Sequence, residues 1–129
     1  MRIAVALLRD DAGQVLLVRK QGTAAFMQPG GKIEPGEEPG AALARELREE
    51  LGLVVPEDGM DYRGTAEAPA ANEPGVIVSA EIFALRLDGP ITVQAEIAEA
   101  IWIDPVAPGD LVLAPLTRDH ILPLAMEAV

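Results

Sequence analysis

The sequence contains no cysteine and only one histidine, His120, among its 129 residues. Without cysteine the chain can form neither disulfide bonds nor thiolate zinc sites, and it has no thiolate nucleophile. A single histidine gives little support to multi-histidine metal sites or to Ser-His-Asp chemistry, which needs a histidine base. Aromatic residues make up only 3% of the chain. We therefore expect His120 to be non-catalytic, and any chemistry must come from other residue types.

Basic residues are also scarce, since 10 Lys and Arg stand against 21 Asp and Glu, which gives a net charge of −11. Proteins bind nucleic-acid backbones largely through Lys and Arg side chains that neutralise phosphates. We therefore expect no nucleic-acid polymer as a partner. A polyphosphate ligand would need cations brought from elsewhere.

Long hydrophobic runs are missing as well. The opening stretch MRIAVALLRDDAG is apolar only from Ile3 to Leu8, which is too short for the apolar region of a signal peptide or for a membrane span. Half of all residues are apolar and 24% are charged, a composition that suits one domain over residues 1–129 with a real core. We expect no membrane partner and a cytoplasmic location.

Strand, turn and helix patterns predict a sheet that is covered by helices. The Gly- and Pro-rich stretch QGTAAFMQPGGKIEPGEEPG is expected to be mostly loop. Strands on both sides of a long helix predict a mixed sheet. The predicted elements are a hairpin of RIAVALLRD and QVLLVRK around a turn at Asp10–Gln14, a helix from about Glu38 to Leu51, strands near Tyr62–Ala68 and Val76–Leu87, a short strand at Glu99–Asp104, and a terminal helix in APLTRDHILPLAMEAV that is kinked or split at Pro123.

The predicted helix carries a leucine stripe and, beside it, an arc of glutamates. Leu43, Leu47 and Leu51 form the stripe, and the arc holds Glu46, Glu49 and Glu50, of which Glu46 and Glu50 lie nearest the buried edge. Like charges at this spacing cost a helix about 0.2–0.5 kcal/mol per pair. Two interpretations stay open on the helix alone. The arc is either a solvated acidic face or an oxygen cage for Mg²⁺ or Mn²⁺, which bind carboxylates.

The residues around the helix favour the second interpretation. The stretch GKIEPGEEPGAALARELREELGL, from Gly31 to Leu53, resembles the Nudix box, G-x5-E-x7-R-E-U-x-E-E-x-G-U with U a bulky aliphatic residue, at every specified position. The resemblance implies an α/β (α+β) fold, a Nudix-type α/β/α sandwich with a mixed sheet and a loop-helix-loop motif. It also implies Mg²⁺-dependent hydrolysis of a nucleoside diphosphate linked to another group, with Mn²⁺ as a possible substitute.

The resemblance assigns roles to residues of the box. It implies Glu46, Glu49 and Glu50 as metal ligands, with the Gly31 carbonyl and Glu96 as further ligands, and we favour Glu46 as the general base within a catalytic set of Glu46, Glu49 and Arg45. An ion pair between Glu37 and Arg45 is expected to tie the loop to the helix. Gly31 and Gly52 are expected to permit backbone geometries that other residues avoid. The weaker alternative to Glu96 is Glu73.

Candidates for substrate binding lie outside the glutamate arc. They are Arg19, Lys20, Phe26, Gln28 and Asn72. Arg19 and Lys20 could meet phosphates or be solvated charges at a strand end, and Phe26 could stack on a base or pack in the core. Gln28 and Asn72 are the amides available to a nucleobase. Trp102 is expected in the core or in a wall.

The expected substrate is a small nucleotide, with a nucleoside triphosphate or its oxidised form favoured, and family habit suggests a homodimer. One alternative is a non-catalytic nucleotide- or metal-binding module on the same fold. Another is a structural acidic protein with an incidental Ca²⁺ site. A complete box argues against the first alternative.

Overall fold

The computed structural model describes residues 1–87, 89–94 and 96–127. Its elements follow one another in the chain as β1 (Arg2–Arg9), β2 (Val15–Lys20), β3 (Phe26–Met27), β4 (Gly30–Lys32), α1 (Pro39–Leu51), a 3₁₀ turn (Glu57–Gly59), β5 (Asp61–Pro69), β6 (Ile77–Arg86), β7 (Ile97–Ile103), a π-helical turn (Thr117–Ile121) and α2 (Leu122–Glu127).

Strands β1 and β2 are apolar through their middles because both faces of the sheet are covered. Residues 4–8 and 15–18 are all buried, so these strands show a continuous apolar run and no polar alternation. Val5 and Leu7 pack in a core cluster with the apolar residues of α2, whereas Ala6 and Leu8 pack in a second cluster with the leucine stripe of α1. The two helices therefore lie on opposite faces of the sheet, which confirms the predicted α/β/α sandwich.

The sheet is mixed, as predicted. Within the described residues the strand order is β3-β2-β1-β6-β5, with β4 paired to β1 and β7 paired to β2. Strands β1 and β6 run parallel, and the other pairs are antiparallel. Strand β1 pairs with β6 along one edge. Along its other edge it pairs with β4 at residues 3–5 and with β2 at Arg9. This division places the Gly30–Gly31 segment in the middle of the molecule.

The stretch expected to be mostly loop contains two short strands, β3 and β4. In β4, Gly30 lies opposite Val5 and Gly31 lies opposite Ala4. Glycine is a poor strand former. The strand therefore depends on its hydrogen bonds to the free edge of β1. The pattern of the stretch itself could not show this, since the partner strand lies far away in the sequence.

Helix α1 ends where the sequence predicts. Gly52 has a φ of 67°, a left-handed conformation that suits glycine, and its N–H bonds to the Arg48 carbonyl. The terminal helix differs in detail from the prediction, because the expected break at Pro123 takes the form of a π turn that ends directly before α2. A wider turn accommodates the missing N–H and the ring of proline. No helix in the described part of the chain is long and apolar enough to cross a membrane.

Candidate active site

Helix α1 sorts its three arc glutamates by depth. Leu43, Leu47 and Leu51 are fully buried and fix the rotation of the helix against the sheet. As a result, Glu50 is only 7% exposed, while the side chain of Glu46 is 16% exposed and that of Glu49 is 53% exposed. The helix projection predicts that Glu46 and Glu50 lie nearer the buried edge than Glu49, as the structure shows.

Glu50 is a buried carboxylate with little compensation from the protein. Its Oε1 accepts the Gly30 N–H at 3.1 Å. The pKa of Glu50 is raised to about 7, chiefly by burial; the Gly30 N–H and the Lys20 charge oppose the rise, and the negative charges of Glu46 and Glu96 add to it. A buried anion of this kind is costly unless it is paired, and a cation would relieve the cost.

The Glu46 carboxylate lies directly against the backbone of Gly31. A Cβ atom placed on Gly31 would lie 2.6 Å from Glu46 Oε1, nearer than real Cβ atoms approach. Burial raises the pKa of Glu46, and the Arg45 guanidinium opposes this rise. The expectation of an unusual backbone geometry at Gly31 is wrong, because the positive φ of 137° belongs to its neighbour Gly30. An added side chain at Gly31 would therefore displace the Glu46 carboxylate.

The Arg45 guanidinium ties the loop before the helix to the glutamate arc. It contacts Glu37 through two bonds, of 2.9 and 3.0 Å, and also donates to the Lys32 carbonyl at 3.0 Å. Its Nη1 donates to Glu46 at 3.0 Å and, more weakly, to Glu49 at 3.4 Å. Arg45 lowers the pKa of Glu37 to about 2. The bidentate pair fixes the orientation of the guanidinium, which in turn orients Glu46.

The donor set fits a hard divalent cation, although the side chains are not arranged around one. In the described ranges no three acidic or imidazole side chains converge closely enough to hold an ion. The reason is local, since Glu49 is turned toward Arg45 and Glu96 is exposed. An exposed ion pair such as Arg45–Glu49 is worth about 0–1 kcal/mol, so its loss would cost little.

A cavity of about 130 Å³ lies beside the glutamates. Gly30 and Gly31 line this cavity and also contact Glu50 and Glu46, so one short strand separates the two features. The other residues that line the cavity are Met1, Ile3, Val5, Lys20, Met27, Gln28, Lys32, Pro69, Ala70, Ala71, Asn72, Glu73, Val78, Ala114 and Leu116. The site thus combines buried oxygen ligands with an adjacent, mostly apolar pocket.

Residues 1–123 match the family model described as the NUDIX domain. The chain belongs to the Nudix hydrolase family. An 8-oxo-dGTP diphosphatase of Haemophilus influenzae is 40% identical over 59 residues, which are 43% of this chain and 43% of that protein. An octanoyltransferase of Myxococcus xanthus is 39% identical over 106 residues, which are 79% of this chain and 29% of that protein. This Nudix chain therefore spans less than half the length of these curated relatives.

The solved structures agree on the fold. The dihydroneopterin triphosphate pyrophosphohydrolase of E. coli superposes with a TM-score of 0.80 at 21% identity, over 98% of this chain and 95% of that chain. At this level of identity the similarity establishes the Nudix fold alone.

Only some of the predicted substrate-binding residues of this Nudix domain line the cavity. Lys20, Gln28 and Asn72 line the cavity, as does Glu73. Arg19 instead bonds to Glu99 at 2.9 Å and to the Thr23 carbonyl at 2.8 Å, because the β2–β7 register places Arg19 opposite Glu99. Arg19 is thus engaged away from the cavity.

The aromatic candidates of the Nudix domain belong to the packing. Phe26 is 9% exposed and packs in the core cluster with α2, so its place is in the core and it offers no open face to a base. Trp102 packs against the cluster on the α1 side. His120 lies in the π turn and does not line the cavity.

Sequence reasoning missed one polar residue near the cavity of this Nudix domain, Thr117. It is fully buried, and its Oγ1 donates to Gln28 Oε1 at 2.6 Å. A threonine in a helical stretch gives no local signal of such a partner. Only the pairing of Gln28 and Thr117 in the fold reveals it.

Proposed function

We propose that the chain hydrolyses a pyrophosphate bond in a nucleoside diphosphate linked to another group, with Mg²⁺ as cofactor, and that the favoured substrate is a nucleoside triphosphate or its oxidised form. The observation that carries this proposal is the shared position of Gly30 and Gly31 between the buried glutamates and the cavity. A ligand ring in the cavity would bring its phosphates to the carboxylates.

In this proposal Glu49 and Glu50 are the principal ligands of the ion, and Glu46, Glu96 and the Gly31 carbonyl are further ligands. When bound, Mg²⁺ neutralises the oxygens of the polyphosphate and of the leaving phosphate. The buried, poorly compensated carboxylate of Glu50 supports a ligand role, because a cation would offset the cost of its burial. Mn²⁺ is expected to substitute, since it prefers the same oxygen ligands.

Glu46 is our candidate for the general base that takes the proton of the attacking water. Burial raises its pKa, and a higher proton affinity favours proton transfer. The hydrogen bond from Arg45 fixes one carboxylate oxygen. In this proposal Arg45 acts through Glu46 and Glu49, and its pair with Glu37 holds it in place.

The size of the cavity supports a small nucleotide. Its volume of about 130 Å³ is below the roughly 300–1,000 Å³ typical of sites that enclose a whole drug-sized ligand. It therefore suits one ring system, with Lys20 near the phosphates. The similarity to an 8-oxo-dGTP diphosphatase supports a nucleoside triphosphate, and the net charge of −11 argues against a nucleic-acid polymer.

The test is a panel of nucleoside triphosphates, their 8-oxo forms, ADP-ribose, dinucleotide polyphosphates and 5′-triphosphorylated RNA, with phosphate products measured in Mg²⁺ and in excess EDTA. We expect turnover of a small nucleotide in Mg²⁺ and none in EDTA. Full turnover in EDTA would refute the metal mechanism. Nucleotides that bind but stay intact would instead indicate a binding module, and metal binding without nucleotide binding would indicate a structural acidic protein.

A further inference from the structure

The cavity wall contains a buried polar pair that lies outside the glutamate arc. Thr117 is fully buried, Gln28 is 6% exposed, and the Thr117 hydroxyl donates to the Gln28 amide oxygen at 2.6 Å. The cavity wall around this pair is largely apolar, and it includes Ile3, Val5, Val78, Ala114 and Leu116. Burial of polar groups among apolar ones costs free energy unless each group is hydrogen-bonded. We therefore ask what the pair contributes to the cavity.

In the structure the Thr117 hydroxyl meets the oxygen end of the Gln28 amide. Among the residues that the structure describes, this is the one hydrogen bond of the Gln28 side chain. Every fully buried polar side-chain atom of those residues has a partner. The amide nitrogen, which has none there, therefore keeps some accessible surface, and the residue that carries it lines the cavity. An amide nitrogen carries two N–H donors and accepts nothing.

The two residues are held in a fixed relation by the backbone. The Phe26 N–H donates to the Val112 carbonyl at 2.8 Å, and the Ala114 N–H donates to the Phe26 carbonyl at 2.9 Å. These bonds join the segment before Thr117 to the strand before Gln28. Thr117 is fully buried at the start of the π turn. Its hydroxyl therefore cannot exchange the bond to Gln28 for a bond to water. The amide of Gln28 is therefore pre-oriented before any ligand arrives.

We propose that Thr117 is a positioning residue that holds the Gln28 amide with its N–H groups toward the cavity, and that the cavity consequently selects a ring that presents a carbonyl oxygen at its edge over one that presents an amino group. This deepens the proposed function and rests on it for the assumption that the ring belongs to a nucleotide. Thr117 acts through Gln28 and does not itself contact the ligand.

The experiment measures binding without turnover. Dissociation constants are determined by calorimetry in EDTA for two matched pairs, inosine against adenosine 5′-monophosphate and uridine against cytidine 5′-monophosphate. The members of each pair differ in a carbonyl or amino group at one ring position and in the hydrogen on the ring nitrogen beside it. The parent should bind the carbonyl member of the better-fitting pair about 10- to 100-fold more tightly, because the amino member leaves donors facing donors. Thr117→Val should bring the ratio to within about threefold, and Thr117→Ser, which keeps the hydroxyl, should preserve it.

Gln28→Met provides a second route if Thr117→Val does not fold, since methionine adapts to irregular packing and has no N–H donor. It should also abolish the preference. A parent that prefers the amino members, or a folded Thr117→Val with an unchanged ratio, would overturn the inference. Absence of binding for all four nucleotides would overturn it too, and hydrolysis of the substrate panel, measured in parallel, then shows whether the proposed function stands without it.

Discussion

Replacement of Glu50 by glutamine is expected to stabilise the metal-free protein at neutral pH but not at acid pH. The reason is the burial that raises the pKa of Glu50 from 4.5 to about 7. Below pH 4.5 the carboxyl is protonated in both the folded and the unfolded chain. Between pH 4.5 and 7 the folded chain keeps a proton that the unfolded chain has lost, so stability falls as the pH rises. Glutamine does not ionise, and its amide oxygen can still accept the Gly30 N–H.

The magnitude follows from the same shift. A rise of the pKa from 4.5 to about 7 corresponds to about 3 kcal/mol of unfolding free energy lost by the parent across this interval. For a chain of this length, that difference equals about 10 °C in Tm. Differences in packing between the two side chains add a constant, which cancels when the Tm difference at pH 8 is compared with that at pH 4.

Thermal unfolding followed by circular dichroism in EDTA, from pH 4 to 8.5, measures this effect. The Tm of Glu50→Gln minus that of the parent should increase through the window from pH 4.5 to 7 and then level off. Glu49→Gln is the matched control, since its side chain is 53% exposed, and its Tm difference should change with pH much less than that of Glu50→Gln. A Tm difference for Glu50→Gln that does not change with pH would refute the argument that burial makes this carboxylate costly.

Three further predictions concern activity. Glu46→Gln should lower kcat by about 10²- to 10⁴-fold with little change in Mg²⁺ dependence, because a general base is lost. Arg45→Ala should weaken activity and apparent Mg²⁺ affinity by roughly 10- to 100-fold without unfolding the chain, whereas Arg63→Ala, which breaks an exposed pair with Asp61, should change neither. Gly31→Ala should keep the fold and lower kcat roughly 10- to 100-fold, because the new Cβ displaces the Glu46 carboxylate.

Each of these predictions has an outcome that contradicts it. If raised Mg²⁺ restores the activity of Glu46→Gln, the assignment of Glu46 as the general base is wrong. If Arg45→Ala matches the parent in both readouts, its pair with Glu37 has no functional part. Gly89→Ala is the control for Gly31→Ala, since no atom lies within 4 Å of its added Cβ. Equal activity of the two alanine variants would show that Glu46 tolerates displacement.

The sequence predicted the parts of the site that depend on local periodicity. The burial of the leucine stripe of α1 and the greater exposure of Glu49 than of Glu46 and Glu50 follow from a repeat of about 3.6 residues per turn, and Pro39 and Gly52 mark the bounds of the helix. Contacts set by distant strand pairing could not be predicted in the same way. The pair of Arg19 with Glu99 needs the β2–β7 register.

The cavity depends still more on tertiary structure. Strand β4 exists because β1 offers an edge, and the burial of Phe26 follows from packing on the α2 side of the sheet. The bond between Gln28 and Thr117 joins segments 89 positions apart. No pattern in either segment contains information about the other, so these features emerge only from the fold.

The narrow junction at Gly30 and Gly31 bears on how such a protein can change over evolutionary time. The glutamates lie on α1, whereas the cavity walls come from β1, β6, the segments around Gln28 and Asn72 and the segment before α2, and the two groups meet at this junction. Substitutions at Val78 or Leu116 would therefore alter which ring fits and leave the carboxylates in place. Ligand selectivity can thus change from one ligand to another while the glutamates of α1 stay in place. At Gly30 and Gly31, by contrast, a substitution would affect the cavity and the glutamates together.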